Sequence, residues 1–143
     1  MANVTVKGLK ELIRKLDKLG VTTPQVMQEA LVISGKKVQR EAKILINTSS
    51  PSGKFYGKHR ASAAGEAPAT DTGNLVRNIK VKEERQSVKV GILDQRAIYG
   101  AYLEFGTSKI APRPWLKPAT DMSRDFIKKS FTIALKKNIK RVL

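Results

Sequence analysis

The sequence predicts an α+β fold: two N-terminal helices, a small antiparallel sheet and a long C-terminal helix packed on it. Three observations predict it. Apolar residues recur at helical spacing through the first third of the chain. Two short alternating runs, around Ile79–Val81 and Val88–Ile92, flank a polar turn. A second helical stripe runs from Met122 to Val142. A period near 3.6 marks a helix with one buried face, and a period of 2 marks a half-buried strand. At 143 residues the chain is expected to form one domain, 1–143, with a flexible basic loop at about 47–70.

Each element has its own local reason. Val4 and Val6 alternate with polar neighbours, so Ala2–Lys7 reads as a short strand that Gly8 breaks. Leu9, Leu12, Ile13, Leu16 and Leu19 then repeat at helical spacing and Gly20 ends that helix. Thr22-Thr23-Pro24 is a start signal, a hydroxyl cap followed by Pro at the first helical position. Met27, Ala30, Leu31, Ser34, Val38, Ala42 and Leu45 form one stripe after it. A helix from about Thr23 to Asn47 would span roughly 37 Å at ~1.5 Å per residue. Gly35 interrupts the stripe, at a modest cost unless something packs closely there.

From Asn47 to Thr70 the periodicity is lost. Lys54, Lys58, His59 and Arg60 stand beside Phe55 and Tyr56 in a stretch rich in Ser, Gly, Ala and Pro. Such loops are functional or unordered. Bases interleaved with aromatics suit phosphate contact and base stacking, and a solvated insertion is the alternative. Asp71-Thr72-Gly73-Asn74-Leu75 reads as a single turn capped by Asp71. A hairpin follows, turning between Glu83 and Ser87, with Gly91 expected at a bulge or a close approach. The last helix is expected after Pro118, capped by Thr120 with Asp121 in its first turn.

The stretch Ala97–Ala119 organises the rest. It holds the single Trp, and two of the three Tyr and three of the six Pro fall within it. Ile98, Tyr99, Ala101, Tyr102, Leu103 and Phe105 form an apolar run with Glu104 inside it, and Gly106-Thr107 ends the run. Pro112, Pro114 and Pro118 remove backbone donors and favour an extended arm that delivers Trp115 and Leu116 to an apolar site. That site is either the domain's own core or a neighbouring subunit.

Composition narrows the function. A net charge of +16 implies attraction to a polyanion: nucleic acid, an anionic membrane or an acidic protein surface. With no cysteine there is neither a disulfide framework nor a thiolate metal site. No apolar run approaches the roughly 20 residues that span a bilayer, and no secretory signal is visible. The chain is therefore expected to be mature, soluble and made in a cytoplasm, with no membrane partner. His59 is the only histidine, and no carboxylate cluster suits zinc, calcium or a metal pair. Asp71 and Glu104 read as a cap and a salt-bridge partner rather than as paired catalytic carboxylates. No catalytic residue, cofactor site or metal ligand is assigned, and an enzyme is not expected. The basic surface carries no recognised reading head, so only sequence-independent phosphate contact stays open.

Three motifs carry a family resemblance. They are Gly65-Glu66-Ala67-Pro68-Ala69-Thr70-Asp71-Thr72-Gly73-Asn74-Leu75, Tyr99-Gly100-Ala101-Tyr102-Leu103-Glu104-Phe105-Gly106-Thr107 and Arg113-Pro114-Trp115-Leu116-Lys117-Pro118-Ala119. In this order and spacing the chain resembles the gene-product-10-like tail-component proteins of long-tailed bacteriophages, which include tail-completion and neck proteins. The resemblance implies a strand before the Phe105-Gly106-Thr107 turn. It also implies a virion structural protein of the tail or neck, made in a bacterial host. Such a protein joins tail to head as a homo-oligomeric ring, with a hexamer the working expectation. Its neighbours would be head-closure, tail-terminator or tail-tube proteins. Tyr102, Glu104, Phe105, Arg113, Pro114, Trp115 and Leu116 are the expected interface residues. Lys54, Lys58 and Arg60 are the expected contacts to nucleic acid or to an acidic partner. The alternative is a non-specific nucleic-acid-binding protein that uses the basic loop and the C-terminal helix.

Overall fold

The computed structural model describes residues 8–18, 24–95 and 97–142. The expected strand at Ala2–Lys7, Gly20 and the Thr22-Thr23 cap lie outside them. The elements in order are α1 (Leu9–Lys18), α2 (Pro24–Thr48), β1 (Phe55–Tyr56), β2 (His59–Arg60), α3 (Asn74–Asn78), β3 (Ile79–Glu84), β4 (Ser87–Ile92), α4 (Ala97–Phe105) and α5 (Leu116–Val142). The fold class is α+β, as the sequence predicts.

Helix α2 is the centre of the domain. Met27, Ala30, Leu31, Val38, Ala42 and Ile46 are all buried along it. One side takes the β3–β4 pair and another takes α5. The main contact of α5 is thus with α2, which lies between it and the sheet; the sequence had placed α5 on the sheet itself. Full burial of Val38, Ile46, Ile79 and Val90 stabilises the domain by about 1.5–3 kcal/mol for each side chain. Gly35 marks a close approach of helix to sheet. A Cβ there would stand 2.5 Å from Val88 Cγ1 and 3.2 Å from Val81 Cγ1. On the α5 side Ala119, Ser123 and Ala134 are buried small residues, and they allow the two long helices to approach. The Ser123 hydroxyl returns to the Ala119 carbonyl at 2.7 Å, so its burial leaves no unmet donor. Ile13 of α1 packs against the same core.

The hairpin runs in unbroken register from Ile79↔Ile92 to Glu84↔Ser87, with Gly91 opposite Lys80. Gly91 is therefore not a bulge; the ladder passes straight through it. The turn is Arg85-Gln86, and Gln86 takes a positive φ of 59°. Gln28 of α2 holds this turn. Its Nε2 donates to the Glu84 carbonyl at 2.9 Å and to Glu83 Oε1 at 3.1 Å, and its Oε1 accepts from the Gln86 amide at 3.1 Å. A non-glycine residue in the left-handed region costs about 1–3 kcal/mol, and these three bonds oppose that cost.

Two expected caps are corrected. Gly73, not Asp71, stands at the N-cap of α3, in the left-handed region and with no side-chain cap. Asp71 instead lies 3.9 Å from His59 Nδ1. Thr120 sits inside α5, not before it, and its hydroxyl donates to the Leu116 carbonyl at 2.8 Å. The helix starts at Leu116, ahead of Pro118. Between α2 and α3, the stretch expected to lack regular structure contains a small hairpin, Phe55↔Arg60 and Tyr56↔His59.

Candidate interface on helix α4

The apolar run before the Gly106-Thr107 turn is a helix, α4. It is apolar on every side, so only its neighbours decide which side is covered. Gly100, Leu103 and Glu104 face inward. Ile98, Tyr99, Tyr102 and Phe105 are 60%, 59%, 49% and 67% exposed. Ile98, Tyr102 and Phe105 stand at i, i+4 and i+7, and so share one face. The inward side is held close. A Cβ on Gly100 would lie 2.7 Å from Ile92 Cδ1 and 3.4 Å from Trp115 Cζ2. The indole Nε1–H of Trp115 donates to the Gly100 carbonyl at 3.2 Å.

A tight reversal connects α4 to α5. Gly106, at φ 73°, donates its amide to the Tyr102 carbonyl at 2.9 Å. A Cβ there would meet the Ile110 carbonyl at 2.7 Å, so both conformation and space require glycine. The Thr107 hydroxyl accepts from the amides of Lys109 and Ile110, at 3.2 and 3.1 Å. The Arg113 amide then returns to the Leu103 carbonyl at 2.6 Å.

This reversal brings Glu104 to the start of α5. Its Oε2 accepts from the amides of Trp115 and Leu116 at 2.7 and 2.9 Å, and its Oε1 accepts from the Lys117 amide at 2.8 Å. The first four residues of a helix leave their N–H groups without intrahelical partners. At the start of α5 the amide of Trp115, just before the helix, and those of Leu116 and Lys117 all bond to Glu104, and the next residue, Pro118, has no N–H. A carboxylate there also meets the positive end of the helix dipole. Glu104 is therefore a helix cap, and the expected salt bridge is corrected to that.

A second carboxylate stiffens the hairpin segment. Glu66 Oε2 accepts from the amides of Ser52 and Ala63, at 3.0 and 2.8 Å, and Oε1 accepts from the Ser52 hydroxyl. These bonds, the Ser52 hydroxyl first, lower its pKa from 4.5 to about 2. Arg60 donates to the carbonyls of Gly53 and Ser52, both at 3.1 Å, and its guanidinium lies 5.1 Å from the Phe55 ring centroid. Two bonds tie this segment to the proline arm: the Gly65 amide to the Pro112 carbonyl at 2.9 Å, and Arg113 Nε to the Ser62 carbonyl at 3.2 Å.

The interface residues expected from sequence divide into two groups. Tyr102 and Phe105 are exposed. Trp115, at 2% exposure, and Leu116 are inside their own domain's core; of the two sites left open for the arm's end, the structure takes that one. Glu104 is buried, and Arg113 and Pro114 are half-buried. Lys54, Lys58 and Arg60 are all exposed on the small hairpin, with the Arg60 guanidinium engaged by backbone carbonyls. Sequence reasoning did not single out Ile98 and Tyr99 as surface residues; Phe55 and Tyr56, expected beside the loop's bases, are each 67% exposed. The only signal was that α4 is apolar all round. Among the described residues no group of three or more His, Cys, Asp or Glu could hold a metal ion, and no helix is long and apolar enough to cross a membrane.

A family model described as "Bacteriophage HK97-gp10, putative tail-component" matches residues 10–106. The match takes in the first motif and nearly all of the second; the Arg113–Ala119 arm lies beyond it. No curated protein and no solved structure matches the chain.

Proposed function

The chain belongs to that family of bacteriophage tail components, and from this premise we propose that it is a non-enzymatic subunit of the head–tail junction. It assembles as a ring and joins tail to head. The observation that supports this reading is the outer face of α4, where Ile98, Tyr99, Tyr102 and Phe105 are exposed together on a helix whose other side is fixed by Ile92, Trp115 and Glu104. Aromatic side chains on a rigid support make effective contact surfaces, because little entropy is lost when they dock. Within the nine residues of α4 the one charged side chain is Glu104, which is turned inward. On a chain of +16, an uncharged patch is where a second copy meets least repulsion. In a closed ring this face meets a different patch on the next subunit. Tyr102 and Phe105 then make contact, while Glu104, Arg113, Pro114, Trp115 and Leu116 hold the face in place.

Sedimentation of the purified chain tests the proposal beside Tyr102→Lys/Phe105→Lys. The wild type should form a closed oligomer, and the variant should sediment as a folded monomer. Labelling of purified particles should place the chain at the neck. A wild type that stays monomeric at every concentration and is missing from particles would overturn the reading.

A further inference from the structure

Helix α5 changes character along its length. From Phe126 to its end it carries Lys128, Lys129, Lys136, Lys137, Lys140 and Arg141, and no acid. All six bases are exposed, and none forms an ion pair among the described residues. Some bases elsewhere are neutralised by a neighbouring acid. Asp121 pairs with Lys117 and Arg124, Glu84 with Lys82 and Lys89, and Glu41 with Lys37. Lys129, Lys136, Lys137 and Lys140 stand at i, i+7, i+8 and i+11, a spacing that puts them on one side of the helix. Arg141 flanks that side. Buried Ala134 and Asn138 mark the side turned toward the core, so the row faces outward. From Lys129 to Lys140 it spans about 16 Å at ~1.5 Å per residue.

We propose that this row is a sequence-independent contact for the phosphate backbone of duplex DNA. Lysines on flexible stems act as point charges and suit a regular line of phosphates. The row offers no cluster of fork-shaped Arg or amide side chains to read base edges. The small hairpin is the weaker site, because the Arg60 guanidinium is bonded to Gly53 and Ser52, leaving Lys54 and Lys58. The inference is independent of how the chain assembles.

Anisotropy of a labelled duplex of about 30 base pairs, titrated with the full-length chain from 50 to 200 mM salt, tests it. Five phosphate contacts give a log–log salt slope of about −4.5, or about a 500-fold loss of affinity across that range. Lys129→Gln/Lys136→Gln/Lys137→Gln/Lys140→Gln should leave a slope of about −1. Lys136→Gln/Lys140→Gln alone should remove nearly half of it. A control that removes the same charge from α1, Lys10→Gln/Arg14→Gln/Lys15→Gln/Lys18→Gln, should keep the wild-type slope. Equal losses in the α1 and α5 variants would overturn the proposal, since net charge would then explain the binding. So would an unchanged slope in the α5 variants. Met122, Phe126 and Ile133 are exposed on the same helix, so vesicles containing about one-third phosphatidylglycerol form the last arm. Binding to these and not to the duplex would also refute it.

Discussion

Replacing Glu104 tests whether one carboxylate holds α4 and α5 together. Glu104→Ala removes the acceptor for three amides, two of them buried, those of Trp115 and Leu116. Each buried donor left unpaired costs about 1–3 kcal/mol. Loss of a negative charge at the helix N-terminus adds about 0.3–1 kcal/mol. The Lys117 amide is only partly buried and can turn to water. The sum is about 2–7 kcal/mol, or a fall in Tm of about 7–21 °C at roughly 3 °C per kcal/mol for a chain of this size. Glu104→Gln keeps the shape and one acceptor oxygen, so it should cost about 1–3 kcal/mol. Urea denaturation followed by Trp115 fluorescence is the assay, and the chain's single Trp makes it a clean probe. Protein concentration must be held where the chain is monomeric, because assembly raises apparent stability. An exposed ion pair would be worth about 0–1 kcal/mol and would fade with salt. If Glu104→Ala costs under about 1 kcal/mol, or 1 M salt erases its effect, the capping account is wrong.

Three other outcomes are expected. Gly35→Ala should destabilise by about 1–3 kcal/mol despite the better helix propensity of Ala, because the new methyl meets Val88 Cγ1 at 2.5 Å; a neutral or stabilising result in urea denaturation would count against that packing. Trp115→Ala should cost about 3–5 kcal/mol in the isolated chain, so monomer folding and ring assembly should fail together; intact folding with lost assembly would contradict its burial. The Glu66 carboxylate is held below its ordinary value, so what it contributes is fully present above pH 4.5 and is lost as pH falls through about 2. The amide NMR shifts of Ser52 and Ala63 should move with a midpoint near 2, and a midpoint near 4.5 would refute the network.

The long elements were legible because their reasons are local. The expected helix from about Thr23 to Asn47 is α2 to within a residue at each end, since a 3.6-residue period over so many turns leaves little freedom. The hairpin was legible from alternation around a polar turn. Gly35 in a helical stripe means either a cost or a close approach, and only the position of Val88 decides between them. Of the expected interface residues, Tyr102 and Phe105 of the second motif are exposed, while Trp115 and Leu116 of the third are in the core.

By itself the sequence determined the α+β class, the α2 stripe from Met27 to Ala42, the hairpin and the family; at the end of the stripe the structure buries Ile46 rather than Leu45. Tertiary structure alone decided that α4 is a helix, which of its faces stays uncovered, and where α5 begins. An all-apolar segment has no period to read, so its conformation and its outward side depend on what packs against it. The start of α5 likewise depends on Glu104, which is 11 to 13 residues back along the chain from the amides it accepts. Only the reversal at Gly106 brings it there.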